Sequence, residues 1–410
     1  MKWVETSRFE RFGMLQVSRL AASIQPSATL AAAARAKQLQ ASGVRIRDFS
    51  LGEPDFPTPE HVCEAARQAM LAGKTRYTQA SGTPELRAAV ASHYRATYGL
   101  AVTPEQVLIS NGAKHSLHNA LSASLNPGDE VIIPTPYWVS YSDLVAMTGA
   151  VPVLVPTTME DGFRLNPQAL RAAITPRTKL LLLNAPSNPT GAVYSRAQLE
   201  ALAKVVLEAD LSVISDEIYE QLMFDGREPV CFATLHPDLP ARTLTVSGVS
   251  KTYAMTGWRI GWTVGPASLI KAMGNVQSQQ TSNPCSISQA AAVAAITGDQ
   301  QCVEMMRNTF QQRRDLVCRL LNAIPGITCP IPDGAFYAFF NITGLFGKTV
   351  AGKLITNSVS FCDGALETAH VCLVPGSAFG AEGFARLSFA TSPEEIEAGV
   401  AQLAEWLRQG

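Results

Sequence analysis

The segment from Lys179 to Ser215 reads KLLLLNAPSNPTGAVYSRAQLEALAKVVLEADLSVIS. It opens on an apolar run, Lys179–Leu183, and closes on another, Leu211–Ser215. Between them residues 196–209 carry a helical pattern. A strand covered on both faces reads as a near-continuous apolar run, whereas a half-exposed strand alternates. The segment therefore predicts a strand–helix–strand unit of a parallel sheet with helices on both sides.

The same alternation extends in both directions. Val107–Ser110, Val131–Pro134, Val151–Val155, Thr243–Val246 and Ile260–Val264 are further short apolar runs, with helical patterns over 112–125 and 166–174. Residues 28–42 are Ala-rich and helix-prone, and Thr83-Pro84 starts a helix over 83–98 as an N-cap followed by Pro at the first helical position. Beyond residue 265 the pattern turns to long helices, 266–297 and 299–323, then to mixed α+β sequence ending in a helix over 392–408. The expected fold is α/β. A large domain with a mostly parallel, mixed sheet covered by helices spans 60–300. A smaller α+β domain combines residues 1–59, an N-terminal arm and part of that domain, with 301–410.

Composition narrows the function. The 410 residues hold 33 basic and 34 acidic side chains, and charged residues are only 16% of the chain. An average soluble domain has about 25%. This balance argues against disorder and against a basic nucleic-acid-binding face. No run reaches the ~20 apolar residues of a membrane span. The N-terminus lacks the apolar core of a secretory signal. Eight cysteines occur without a C-x-x-C pair, which excludes a zinc ribbon and a thioredoxin motif and fits a reducing cytoplasm.

In parallel sheets, ligands gather beyond the carboxyl ends of strands, and there the polar residues converge. Lys251, in Gly248-Val249-Ser250-Lys251-Thr252, follows a strand and can be desolvated enough to form a Schiff base; the alternative is a loop lysine in water. The residue before it is Ser250, where a phosphate-binding P-loop requires Gly. Asp216 closes a strand and can pair with a pyridine nitrogen, or simply cap a helix. Tyr219 lies three residues on and can reach a phenolic oxygen. Gly112 and Ala113 open a helix without bulk, either as an anion seat or as a plain turn. Arg259 suits bidentate phosphate contact or a structural ion pair. Trp138 can stack on a flat ring or pack in the core. Asn188 can donate to an oxygen or belong to a Pro-Gly turn, and Arg386 can clamp a carboxylate or be surface charge. Each signal is weak alone. Together they supply what a pyridoxal 5′-phosphate enzyme needs: an amine, a ring-nitrogen acid, a stacker, a phosphate cup and a carboxylate clamp.

At that point the chain resembles the fold-type I, class I/II aminotransferases. Gly248 through Lys251, with Trp258-Arg259-Ile260-Gly261 following, fits the lysine motif of that family. Leu51 through Phe56, Tyr77 through Gly82, Asn184 through Gly191 and Asp216 through Tyr219 extend the likeness over about 25–408. The bacterial aspartate aminotransferase Iβ group is the nearest branch, through Pro26-Ser27-Ala28-Thr29 and Tyr253 through Trp258. The resemblance implies Lys251 as the Schiff-base lysine and proton-transfer base, with Asp216 on the ring nitrogen. It implies Tyr219 and Asn188 on the phenolic oxygen, and Trp138 against the ring. Gly112, Ala113, Ser250 and Arg259 would hold phosphate, with Tyr77 arriving from the second subunit of a homodimer. Gly52, Asn188, Trp138 and Arg386 would meet the substrate, and Lys114 its distal carboxylate. The implied reaction moves the amino group of an L-amino acid, aspartate, glutamate or a relative, to a 2-oxo acid by a ping-pong route. Alternatives on the same fold are β- or γ-elimination, amino-acid oxidation, or transamination of a non-dicarboxylate substrate. Gln25 stands where the branch usually has a basic residue, which weakens the dicarboxylate expectation. His115 and His118, at i and i+3, have no third ligand nearby and read as helix-face residues rather than a metal site. Trp3, Phe9 and Phe12 lie in an extension outside the resemblance. No G-x-G-x-x-G follows a strand, which disfavours a nicotinamide dehydrogenase.

Overall fold

The computed structural model describes residues 16–24 and 26–410. Gln25, Trp3, Phe9 and Phe12 lie outside the described residues.

Seven strands form the main sheet: β1 (Val107–Ser110), β2 (Glu130–Thr135), β3 (Val151–Pro156), β4 (Thr178–Asn184), β5 (Ser212–Asp216), β6 (Thr243–Gly248) and β7 (Gly261–Val264). Their spatial order is β1-β7-β6-β5-β4-β2-β3. Pairs β2–β3, β2–β4, β4–β5 and β5–β6 are parallel, whereas β7 runs antiparallel to both β6 and β1. All residues of β1, β6 and β7 are buried, which explains their unalternating apolar sequence. The outermost strand β3 carries Pro152 and Pro156, which cannot donate to a further strand and so blunt the sheet edge.

Helices cover both faces. The ones used below are α1 (Ala113–Ser124), α2 (Arg196–Glu208), α3 (Ala267–Gln280), α4 (Ser286–Thr297) and α5 (Gln301–Asn322). Local chemistry sets their ends. Ser195 and Gln198 form a reciprocal capping box that starts α2. Thr83 caps the helix Pro84–Tyr98, and Gly99, in the left-handed conformation at φ 68°, stops it. The long helix expected over 266–297 is instead two, α3 and α4. Thr281 ends α3, Ser282 takes a positive φ of 62°, and Pro284 cannot continue an α-helix.

A second, antiparallel sheet holds β8 (Tyr337–Asn341), β9 (Val374–Pro375) and β10 (Phe384–Ser388) in the order β9-β10-β8. One apolar cluster joins this sheet, α5 and the C-terminal helix Pro393–Leu407 around Phe336, Phe340, Phe361 and Trp406. Separate clusters pack the helices onto the two faces of the main sheet. Among the described residues no helix is long and apolar enough to cross a membrane.

Candidate active site

The parallel strands deliver their carboxyl ends to one edge of the sheet. Strand β7 is reversed, so its entry, just after Arg259, lies at that same edge. The chain thus leaves the edge through Lys251 and returns to it at Arg259. A cavity of about 260 Å³ opens there. Gly52, Ala113, Lys114, Trp138, Asn188 and Asp216 line it. So do Tyr219, Ser250, Lys251, Arg259 and Arg386. Of the residues singled out in the sequence, Gly112 stands just behind this lining. Tyr77 does not reach it within the chain: its ring is 92% exposed, beside a separate surface recess.

The turn from β1 into α1 explains Gly112. Its φ is 85°, and a Cβ there would sit 2.6 Å from Arg259 Nη2. Its own N–H is committed to Ser110 O at 2.8 Å, so Gly112 contributes room rather than a donor. Gly261 is needed for a different reason. A Cβ on it would lie 2.3 Å from Ala113 N, so only glycine lets β7 approach the start of α1 this closely. Arg259 itself adopts a left-handed φ of 55°, with Nη1 donating to Thr256 O at 2.8 Å. A non-glycine residue held there costs backbone energy that the surrounding structure must supply.

Lys251 Nζ donates to Gly52 O at 2.6 Å. Burial pulls its pKa down to about 8, with Arg259 and Arg386 acting in the same direction and Glu53 opposing. Asp216 is buried, and burial raises its pKa to about 6. Tyr141 limits that rise by donating its hydroxyl to Asp216 Oδ2 at 2.6 Å, as does the Ile218 N–H bonded to Oδ1 at 3.2 Å. Trp138 packs edge-on against Tyr141, and Lys114 Nζ lies 4.8 Å from the Trp138 ring centre. Burial and the nearby Arg259 lower the Lys114 pKa.

Arg386 is only 1% exposed and makes no ion pair among the described residues. Nη1 donates to Asn188 Oδ1 at 3.0 Å, Nη2 donates to Ser50 O, and Nε has no partner. Its guanidinium lies 4.6 Å from the Tyr337 ring centre. Burial lowers its pKa. A buried cation with neutral partners only is costly unless an anion joins it, and the open direction here is the cavity. Because Asn188 turns its oxygen to Arg386, its amide NH₂ remains for the cavity. Tyr219 and Tyr337 share a hydroxyl hydrogen bond of 2.8 Å.

Sequence reading missed Tyr141, Tyr337 and Asn184. Asn184 braces the site: its Nδ2 donates to Asp216 O and its Oδ1 accepts from Asn188 N, both at 2.9 Å. Tyr141 follows Trp138 by three residues across a turn, its N–H donating to Trp138 O at 2.9 Å, and that spacing was the available signal. Tyr337 sits in the apolar run Tyr337–Asn341, and nothing local marks it.

The arrangement offers an amine of lowered pKa, a buried carboxylate, an indole and an unneutralised guanidinium within one cavity. Known proteins share the whole arrangement of the chain. An aspartate/prephenate aminotransferase of Cereibacter sphaeroides is 48% identical over 95% of this chain and 98% of its own. An aspartate aminotransferase of Rhizobium meliloti is 49% identical over 96% of each. The crystal structure of a Rhizobium meliloti aspartate aminotransferase superimposes with a TM-score of 0.94 at 48% identity, covering 96% of this chain and 99% of that one. The Thermus thermophilus aspartate aminotransferase with maleate does so at 0.90 and 44%, covering 96% and 100%. Residues 45–403 match the family described as aminotransferase class I and II. With its fold and nearly its whole length in common with these enzymes, the chain belongs to the class I and II aminotransferases.

Proposed function

We propose that this aminotransferase uses pyridoxal 5′-phosphate, takes L-aspartate as amino donor, and works as a cytoplasmic homodimer with shared sites. The observation that carries the amino-acid reading is Arg386, a buried guanidinium with no anionic partner among the described residues, facing the cavity that also holds Lys251 and Asp216. The residues present fit the cofactor. Gly112 leaves a cradle that a Cβ would fill, and the N–H groups of Ala113 and Lys114 begin a twelve-residue helix. A helix N-terminus of this kind suits phosphate, and Ser250 and Arg259 stand beside it.

When bound, pyridoxal 5′-phosphate supplies a carbonyl that condenses with amines and a ring that withdraws electrons. The chain's own groups do the rest. Asp216 would hold a proton at the ring nitrogen. Tyr219 and the free amide of Asn188 would donate to the phenolic oxygen. Trp138 would lie against the ring. Arg386 would receive the α-carboxylate, beside Gly52. Lys251 Nζ, its pKa lowered to about 8, would move the proton of the donor's Cα. Lys114, at the cavity rim, meets the distal carboxylate of a dicarboxylic donor. The relatives' names and the maleate-bound Thermus structure support that choice. Prephenate, a 2-oxo acid that also carries a second carboxylate, would suit the same two cations as acceptor.

Exposed Tyr77, with exposed Met70 and Leu71, supports a subunit seam through which Tyr77 reaches the partner's phosphate. Eight unpaired cysteines, among them Cys318 and Cys329 with sulfurs 3.8 Å apart, support a reducing compartment. The separate apolar clusters support a division into 60–300 and a second domain of 1–59 with 301–410.

The test is a half-reaction. L-aspartate added to the cofactor-loaded protein is expected to convert its absorbance to that of pyridoxamine phosphate, releasing one equivalent of oxaloacetate and no ammonia. Lys251→Ala should lose the reaction by several orders of magnitude. Ammonia release, or no spectral change with any common amino acid, would sink the proposal.

A further inference from the structure

His115 and His118 belong to neither the cavity lining nor the apolar clusters, yet both are partly buried and precisely bonded through a third residue. Asn111 N lies 3.3 Å from His115 Nδ1. A backbone N–H can only donate, so Nδ1 accepts, and a neutral ring then carries its hydrogen on Nε2. His115 Nε2 lies 3.2 Å from Gln280 Oε1, the oxygen such a hydrogen requires. Gln280 Nε2 in turn lies 3.0 Å from His118 Nε2, which must accept. The hydrogen of His118 is therefore on Nδ1, which is buried and finds no acceptor among the described residues. Every donor and acceptor along this chain is determined by the first one, the N–H of Asn111.

Asn111 is held on its other sides too. Its Nδ2 donates to Thr281 Oγ1 at 3.1 Å, and its carbonyl faces Arg259 Nη2 at 3.5 Å. This residue is the pivot of the β1–α1 turn. Its orientation decides where the N–H groups of Ala113 and Lys114 point.

We propose that His115, Gln280 and His118 act as positioning residues for the phosphate seat, fixing the Asn111 turn from behind so long as both rings stay neutral. The inference rests on the reading of that turn as the cofactor's phosphate site. A proton on His115 Nδ1 would set two donors against each other at Asn111. A proton on His118 Nε2 would force the Gln280 amide to turn, setting its NH₂ against the Nε2–H of His115. Either event breaks the same chain. The Asn111 N–H and Gln280, at the end of α3, face the two rings, His115 acts on His118, and Thr281 and Arg259 bond Asn111 from beyond. Among the described residues no carboxylate acts on either ring, and burial lowers both pKa values. The neutral rings, and the tight seat, are thus present at neutral pH and are lost as the pH falls through those depressed values.

The experiment titrates cofactor-free protein with pyridoxal 5′-phosphate and, in parallel, with pyridoxal, which lacks the phosphate, between pH 5 and 8 (a range bracketing the roughly 6.5 of free histidine). His115→Leu is expected to weaken pyridoxal 5′-phosphate about fivefold at neutral pH, the scale of one hydrogen bond, and to leave pyridoxal unchanged. His115→Asn keeps an acceptor near the Nδ1 position and cannot be protonated. It should restore neutral-pH affinity and reduce the acid loss to the part that His118 contributes. Equal weakening of both ligands by His115→Leu would overturn the proposal, as would an unaltered acid limb in His115→Asn. Wild-type protein that bound neither ligand would defeat the cofactor reading itself, a failure visible before any variant is made.

Discussion

Asp216 carries two opposing influences. Burial favours its neutral acid, and its bonds from Tyr141 and Ile218 favour the charged form, leaving a pKa of about 6. To hold a proton on a ring nitrogen it must be ionised. Removing the Tyr141 hydroxyl lets burial act with less opposition, so the pKa rises and the ionised fraction falls further at each acidic pH. Tyr141→Phe is expected to lower kcat/KM about tenfold at neutral pH, roughly 1.4 kcal/mol, and to move the acid limb of the pH–rate profile upward. An unshifted limb would show that the phenol only packs. Residues of this type are poorly legible in sequence. Asp216 and Lys251 announce themselves as charged groups ending apolar strands. Tyr337 occurs in an apolar run and Tyr141 between two serines, and only the tertiary approach of their hydroxyls to Tyr219 and Asp216 separates them from other aromatics.

At the scale of elements, the loop bearing Gly52 is latched to α5. Arg313, nearly buried, makes two bonds to the Asp55 carboxylate at 2.7 and 2.9 Å. Phe56 meets Phe310 edge-on at 5.3 Å and lies under the Arg313 guanidinium at 5.1 Å. The latch sets the position of the Gly52 carbonyl that meets Lys251. Asp55 is about one-third exposed, so the pair is worth less than a fully buried one. Asp55→Asn is expected to cost about 1–2 kcal/mol of stability in denaturant unfolding. It should also raise KM for the amino donor more than it lowers kcat, since Gly52 lines the cavity. Elements were the most legible scale. The strands of the main sheet lie within a residue or two of their sequence expectation, because strands buried on both faces need continuous apolar runs. The break between α3 and α4 escaped notice. Thr281-Ser282-Asn283-Pro284 has the composition of a turn, but the helical patterns on either side, 267–280 and 286–297, run close enough together to read as one.

At the scale of the molecule, the cavity gathers residues from far-apart stretches: Gly52, Trp138, Asn188, Lys251 and Arg386. A ligand that bridges them binds only the folded chain, so saturation at a hundred times Kd stabilises it by about 2.7 kcal/mol. Pyridoxal 5′-phosphate is expected to raise the melting temperature by several degrees in a calorimetric scan. Lys251→Ala should retain part of that rise through the phosphate seat. The low charge content, 16%, gives the few buried charges more weight. Among them Arg313 and Arg314 have carboxylate partners and Arg386 has none among the described residues.

The reversed strand β7 has a kinetic consequence. Because the chain leaves and re-enters the sheet at one edge, Lys251 and Arg259 are the two ends of a single short excursion, tethered to paired strands β6 and β7. Segments closed in this way open as a unit. Lys251 and Arg259 would then leave the cavity together rather than in turn, at the opening frequency of that excursion.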